Sequence, residues 1–400
     1  MKIIEREQLE TLKKVMGTPD IKVITGVRRS GKSMLLKLFE EYVAKEIKDA
    51  NIIRIDFNDI SFEFLNEYHA LNDYIEDRYI EGRKNFVFID EVQMCNGFER
   101  VVNSLHNSMK YDIYITGSNA FLLSSDLATL FTGRTFTIEL FPFSFKEYLR
   151  YMDVEKSRYG LYDAFDRYLL EGGFSGSYVF DDLSEKYNYI SEVYDTLIIR
   201  DVAQKNRIQN DLVLKKVSDF LINNISKMTT GRNVTNVLNN EQLDTNHKTV
   251  GSYLNYLCNA FAFYKVKRYD INGKDYLRSQ DKYYLCDHSI KYAKQGLKNI
   301  DYGQTYENIV AMELLRRGYE IYVGNVGGKE VDFVASRRDE KIYIQVSYNM
   351  KSEETFKREV EPLLSIKDAY PKIIISNTMQ PEQNYEGIKI IDIADWLVTE

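Results

Sequence analysis

Proline is scarce in this 400-residue chain, with five in all, so no proline-rich linker separates its parts. Cysteine is scarcer still. Cys95, Cys258 and Cys286 are far apart and odd in number, which argues against a disulfide framework and fits a reducing cytoplasm. The four histidines are scattered too, and no Cys/His group has zinc-ligand spacing. No apolar run approaches ~18 residues, so no membrane helix is expected. Charges interrupt every apolar pair of Met1–Met16, so no signal-peptide core is expected either. No period of roughly 20–50 residues marks a repeat array. These absences leave a globular, cytoplasmic chain long enough for two or three domains.

Charge is present but uneven. The net charge is −7, yet Lys205–Lys298 holds 16 Lys+Arg against 8 Asp+Glu, while the remainder holds 37 against 52. A basic middle on an acidic chain is a candidate electrostatic footprint for nucleic acid.

Near the N-terminus, the β-rich run Ile21–Thr25 leads into Gly26-Val-Arg-Arg-Ser-Gly31-Lys32-Ser33. Met34–Val43 follows with apolar residues at helical spacing. Strand, Gly-rich loop and helix are the context that a phosphate-binding loop requires. Gly26 and Gly31 let backbone N–H groups turn toward phosphate oxygens, and the new helix adds its positive end. Lys32 suits the β- and γ-phosphates of ATP, and Ser33 offers a hydroxyl to Mg²⁺. Arg28, Arg29, Ser30 and Met34 complete the candidate nucleotide contacts. A second apolar run, Phe86–Ile89, ends in Asp90-Glu91. Asp90 suits the Mg²⁺ shell, and Glu91 suits the general base. Asp112–Thr116 ends in Gly117-Ser118-Asn119, where Asn119, with Ser118 in reserve, is the candidate for touching the γ-phosphate; a plain turn explains the same residues. Ile52–Phe57 and Thr135–Leu140 would complete a five-stranded sheet. Arg134 precedes the last of these. It reads equally as an arginine finger for a neighbouring subunit or as a solvated arginine.

The order GVRRSGKS, FVFIDE, ITGSNA, Gly133-Arg134 and Phe141-Pro-Phe-Ser-Phe-Lys-Glu147 resembles the prokaryotic AAA-superfamily ATP-binding proteins. Tyr168-Leu-Leu-Glu-Gly172-Gly173-Phe174 resembles their Gly-Gly-Phe segment, with Ser175 where proline is usual. The resemblance spans nearly the whole chain. It implies a C-terminal domain of unknown function (DUF4143) with a nuclease-like core.

In the basic middle, Asp211–Ile225, Gly231–Asn240 and Thr245–Phe261 have helical patterns, with Thr245 a candidate cap. Phe263–Tyr269 and Lys282–Leu285 then flank an Asp-Ile-Asn-Gly turn. Three helices and a hairpin make a winged-helix pattern. If it meets DNA, Asn246, Lys248, Ser252 and Asn255 face the groove, and Lys265, Lys267, Arg268 and Lys274 follow phosphates. If not, the same elements pack domains together.

Past Tyr306, the order helix, three strands, helix, strand looks like the PD-(D/E)xK nuclease fold. Asp332 and the helical Glu307 fit its carboxylates. Gln345 and Ser347 stand where an acid and a lysine belong, so the motif is degenerate unless a relocated lysine such as Lys357 compensates.

The reading is α/β throughout: a P-loop AAA-like domain over 1–150, a helical linker over 151–210, a winged-helix-like domain over 211–298, and a degenerate nuclease-like domain over 299–400. It predicts a Mg²⁺-dependent ATPase acting as a switch or remodeller, with DNA a candidate partner through 211–298. A protein switch without nucleic acid, partnered through the C-terminal domain or a second copy, is the alternative. A metal-dependent nuclease comes third.

Overall fold

The computed structural model describes residues 2–117, 131, 133–154, 157–273, 275–298 and 300–399. The candidates Ser118, Asn119 and Lys274 lie outside them. The chain divides into two units, Met1–Pro142 with Asn259–Phe261, and Phe143–Cys258 with Ala262–Glu400. Among the described residues, no helix is long and apolar enough to cross a membrane.

The first unit runs α1 (Glu7–Val15), β1 (Ile21–Thr25), α2 (Lys32–Glu46), β2 (Ala50–Asp56), α3 (Tyr68–Glu76), β3 (Lys84–Asp90), α4 (Phe98–Ser108), β4 (Tyr111–Thr116) and β5 (Thr135–Glu139). Its sheet is wholly parallel, in the order β2-β3-β4-β1-β5. Both faces are covered, which is why the strands read as continuous apolar runs. Alternation sends Val23, Val87, Ile89 and Ile115 to one core with α3 and α4. Ile24, Phe88 and Tyr114 go to the other, with α1 and α2. Parallel strands place all their carboxyl ends on one edge, where ligands of such sheets bind.

The second unit begins with α5 (Phe145–Met152), α6 (Arg158–Glu171) and α7 (Leu183–Thr196). Next come α8 (Asp211–Asn223), α9 (Gly231–Asn240), α10 (His247–Asn259), and the hairpin β6 (Phe263–Asp270) and β7 (Asp275–Leu285). The remainder is α11 (Ser289–Gln295), α12 (Tyr302–Arg316), β8 (Glu320–Val326), β9 (Lys329–Arg337), β10 (Glu340–Ser347), α13 (Glu353–Leu364), β11 (Lys372–Ser376), β12 (Gln383–Tyr385), β13 (Ile388–Asp392) and α14 (Ile393–Val398). One eight-stranded mixed sheet takes the order β12-β13-β11-β10-β9-β8-β6-β7. The hairpin is therefore hydrogen-bonded into this sheet, with Arg268, Tyr269 and Asp270 in parallel register with Val323, Gly324 and Asn325. A boundary drawn at 298 cuts through that sheet. The hairpin pattern is visible in the sequence, but the partner of its second edge lies beyond any local pattern.

Two sequence signatures acquire structural roles here. In Phe-Ser-Phe-Lys-Glu147, Ser144 and Glu147 form a reciprocal capping box at the start of α5. In the Gly-Gly-Phe segment, the Gly173 N–H donates to the Asp287 carboxylate at 2.6 Å, and its carbonyl accepts from the Phe143 N–H at 2.8 Å. A Cβ on Gly173 would fall 2.4 Å from the Phe143 carbonyl oxygen, so only glycine fits.

Candidate functional site

The candidate site lies on the carboxyl edge of the first sheet. Leaving β1, Gly26 has φ 137°, and a Cβ there would meet the Leu140 carbonyl oxygen at 2.1 Å. Arg29 and Gly31 also take positive φ, 65° and 99°, and the loop turns through them into α2. Gly31 occupies the N-cap position without a side-chain cap, so the first N–H groups of the helix face the loop without a capping oxygen. Lys32 is buried, and its ammonium donates to the carbonyls of Gly26 at 3.0 Å and Val27 at 3.1 Å. Ser33 and Arg29 are exposed, Arg28 and Met34 are half-buried, and Ser30 is buried beneath the loop.

Two further strand ends meet this edge. Asp90 closes β3, and Glu91 follows in the left-handed region at φ 54°, a costly conformation for a side-chain-bearing residue. Thr116, the last residue of β4 and fully buried, links them. Its hydroxyl accepts the Glu91 N–H at 3.0 Å and donates to the Asp90 carboxylate. The Gln93 amide donates to the other end of Glu91, onto its carboxylate.

Sequence reasoning missed Thr116, which reads as the last residue of an apolar strand; its polarity at a strand tip was the available signal. It also missed Arg6. This buried guanidinium donates to the Ser30 carbonyl at 2.9 Å and the Phe141 carbonyl at 2.7 Å, bracing the loop from below. No motif announces it.

Arg134 is elsewhere. Its carbonyl accepts from the Ile21 N–H at 2.8 Å, at the opposite end of β1 from the loop. The strand's five residues put it roughly 16 Å away at ~3.3 Å per residue. It is exposed, and its guanidinium reaches Asn103 at 3.4 Å.

In the second unit, the expected cap Thr245 is corrected: Asn246 caps α10, accepting the N–H groups of Lys248 and Thr249, both at 3.0 Å. Lys248, Asn255, Lys265 and Lys267 are exposed, Ser252 and Arg268 half-buried. Lys265 pairs with Asp281 at 2.9 Å.

Comparison with known proteins matches three models: an AAA domain at 18–149, a domain of unknown function (DUF8612) at 162–301, and another (DUF4143) at 302–396. An uncharacterized protein of Haemophilus influenzae is 38% identical over 402 residues, covering 99% of each chain. The chain belongs to the family that joins an AAA domain to a C-terminal DUF4143 domain. The uncharacterized protein MJ1544 of Methanocaldococcus jannaschii is 30% identical over 94% of this chain and 85% of that one. Among solved structures, AMPPCP-bound DnaA from Aquifex aeolicus aligns with TM-score 0.32 and 16% identity over 63% of this chain and 86% of that one. Aeropyrum pernix ORC1 in complex with DNA aligns with TM-score 0.33 and 10% identity over 78% and 94%. Within this AAA–DUF4143 chain, the AAA match contains Gly26–Ser33, Asp90, Glu91 and Thr116.

Proposed function

We propose that this AAA–DUF4143 protein binds ATP with Mg²⁺ on the Gly26–Ser33 loop, hydrolyses it, and uses the nucleotide state as a switch acting on DNA. The observation that carries the reading is the meeting of three strand ends, with Thr116 tying Asp90 to Glu91. The α2 N–H groups receive phosphate oxygens. Lys32 exchanges its two carbonyl partners for β- and γ-oxygens. The Ser33 hydroxyl and Asp90 carboxylate are hard oxygen donors and fit Mg²⁺, which when bound takes up charge on the β- and γ-oxygens. Glu91 takes the proton of the attacking water as its oxygen joins the γ-phosphorus and the bond to the β-bridging oxygen breaks. Thr116→Val keeps shape but removes both hydrogen bonds. It is expected to slow hydrolysis about tenfold, with nucleotide affinity nearly unchanged, in parallel kcat and Kd measurements.

Arg134, at the far end of β1, serves the site of a second copy. Arg134→Ala and Glu91→Gln chains are each expected to be inactive alone and to regain hydrolysis when mixed, because one mixed interface then has both groups. An active Arg134→Ala chain would remove the arginine from the mechanism, and no recovery on mixing would remove it from the site of a second copy.

The DNA assignment rests on Lys248, Asn255, Lys265 and Lys267 lying exposed on α10 and β6. It also rests on an isolated antiparallel bridge between Thr229 and Asp281, which ties the segment before α9 to the hairpin. Duplex DNA is expected to raise the hydrolysis rate. Lys248→Ala with Lys267→Ala should weaken DNA binding and flatten its log–log salt slope by about 2. Hydrolysis indifferent to DNA, with no measurable DNA binding, would favour the protein switch, seen as an ATP-dependent change in oligomer size.

A further inference from the structure

The degenerate nuclease-like motif around Asp332 holds a cation of its own. The Lys282 ammonium, from β7, lies 2.7 Å from Glu307 of α12, 2.7 Å from Glu330 and 3.7 Å from Asp332, both of β9. Its side chain is 3% exposed. Tyr284, two residues along the same face of β7, donates to Glu307 at 2.6 Å. The second oxygen of Asp332 accepts the Val346 N–H at 2.8 Å. On β10, Gln345 is turned to Glu359 at 2.8 Å and to the Asp332 N–H at 3.3 Å. Lys357, the example of a relocated lysine that would compensate, is exposed and paired with Glu353 at 2.6 Å. The cluster lies beside an open cleft of about 1090 Å³ lined by Glu307, Ser347, Lys227 and Arg358.

A divalent cation here needs carboxylate oxygens at about 2.0–2.6 Å. Glu307, Glu330 and Asp332 are the carboxylates on offer, and an ammonium already stands against two of them. A second positive charge in that space would be repelled by an ammonium whose side chain is itself buried. Three carboxyl groups converge on this one ammonium, which donates to Glu307 at 2.7 Å. Among the described residues, no group of three or more His, Cys, Asp or Glu side chains is disposed to hold a metal. The residues present therefore do not fit the metal that a nuclease core implies.

We propose that the Lys282 ammonium, supplied by a strand that precedes the DUF4143 match, stands permanently in the place of the divalent cation, so that the nuclease-like sheet is a metal-independent module that does not cleave. Trp396 is the one tryptophan of the chain and lies in the second unit's core, so its fluorescence reports unfolding there. The experiment is thermal unfolding of the full chain, without nucleotide, with Mn²⁺ from zero to millimolar. The Trp396 transition of the parent is expected not to move. Lys282→Met is expected to lower it by on the order of 10 °C, since three carboxylates lose their partner. Mn²⁺ is expected to restore most of that loss, and Lys282→Met with Asp332→Asn should abolish the rescue. A Lys282→Met chain that Mn²⁺ leaves unmoved overturns the proposal. Mn²⁺ stabilisation of the parent that Asp332→Asn removes also overturns it. Should Lys282→Met fail to fold at any Mn²⁺ concentration, the parent decides: plasmid cleavage abolished by Asp332→Asn overturns the proposal, and an unmoved transition without cleavage supports it.

Discussion

Glu91→Gln is expected to lower ATP hydrolysis at least about a hundredfold while leaving nucleotide bound, the loss typical of a removed general base. Glutamine keeps the length and hydrogen-bonding shape, so the Thr116 and Gln93 contacts can persist, but it cannot take a proton. The left-handed backbone at Glu91 makes the result informative. That conformation costs of order 1–3 kcal/mol, and such strain clusters at functional sites. Single-turnover hydrolysis beside equilibrium binding separates the two quantities. Lys32→Ala should instead lose binding along with turnover, because its ammonium is the loop's charge for phosphate. A near-parental rate for Glu91→Gln would assign the base elsewhere, and a parent that binds without hydrolysing would make this a sensor rather than an engine.

Gly173→Ala is expected to destabilise the second unit by about 3 kcal/mol or more, at the upper end of what overpacking costs. The added methyl would sit 2.4 Å from the Phe143 carbonyl oxygen and 2.9 Å from both the Phe143 nitrogen and an Asp287 carboxylate oxygen. Two of these three atoms are backbone and cannot swing aside. Moving them would break the Phe143–Gly173 hydrogen bond, and moving Asp287 would break its bond to the Gly173 N–H. Urea unfolding followed through Trp396 measures the loss. A change under 1 kcal/mol would mean that the segment relaxes freely.

The glycine-rich loop was legible because a phosphate site demands fixed residue types at fixed spacing. Gly26 and Gly31 lie in the turn between β1 and α2, and Lys32 and Ser33 open α2. The Gly-Gly pair was visible as a family pattern, but its reason was not, because Asp287 lies 114 residues from Gly173. Arg6 likewise acts across 24 and 135 positions. Lys282 was read as one end of a hairpin. Tyr283, Tyr284 and Leu285 beside it are all buried, so both faces of β7 are covered and no alternation in the sequence set Lys282 apart.

The joining of β6 to β8 also constrains how this protein is made. During synthesis the hairpin emerges well before Glu320–Val326, so the inner edge of β6 has no strand to meet while the intervening helices are translated. An open strand edge is a template for pairing with another nascent chain, and on β6 the charges of Lys265, Lys267 and Arg268 oppose it. A pause in translation across Tyr302–Arg316 would prolong that exposure. A gene truncated between β7 and β8 would make it permanent, favouring inclusion bodies over a soluble fragment.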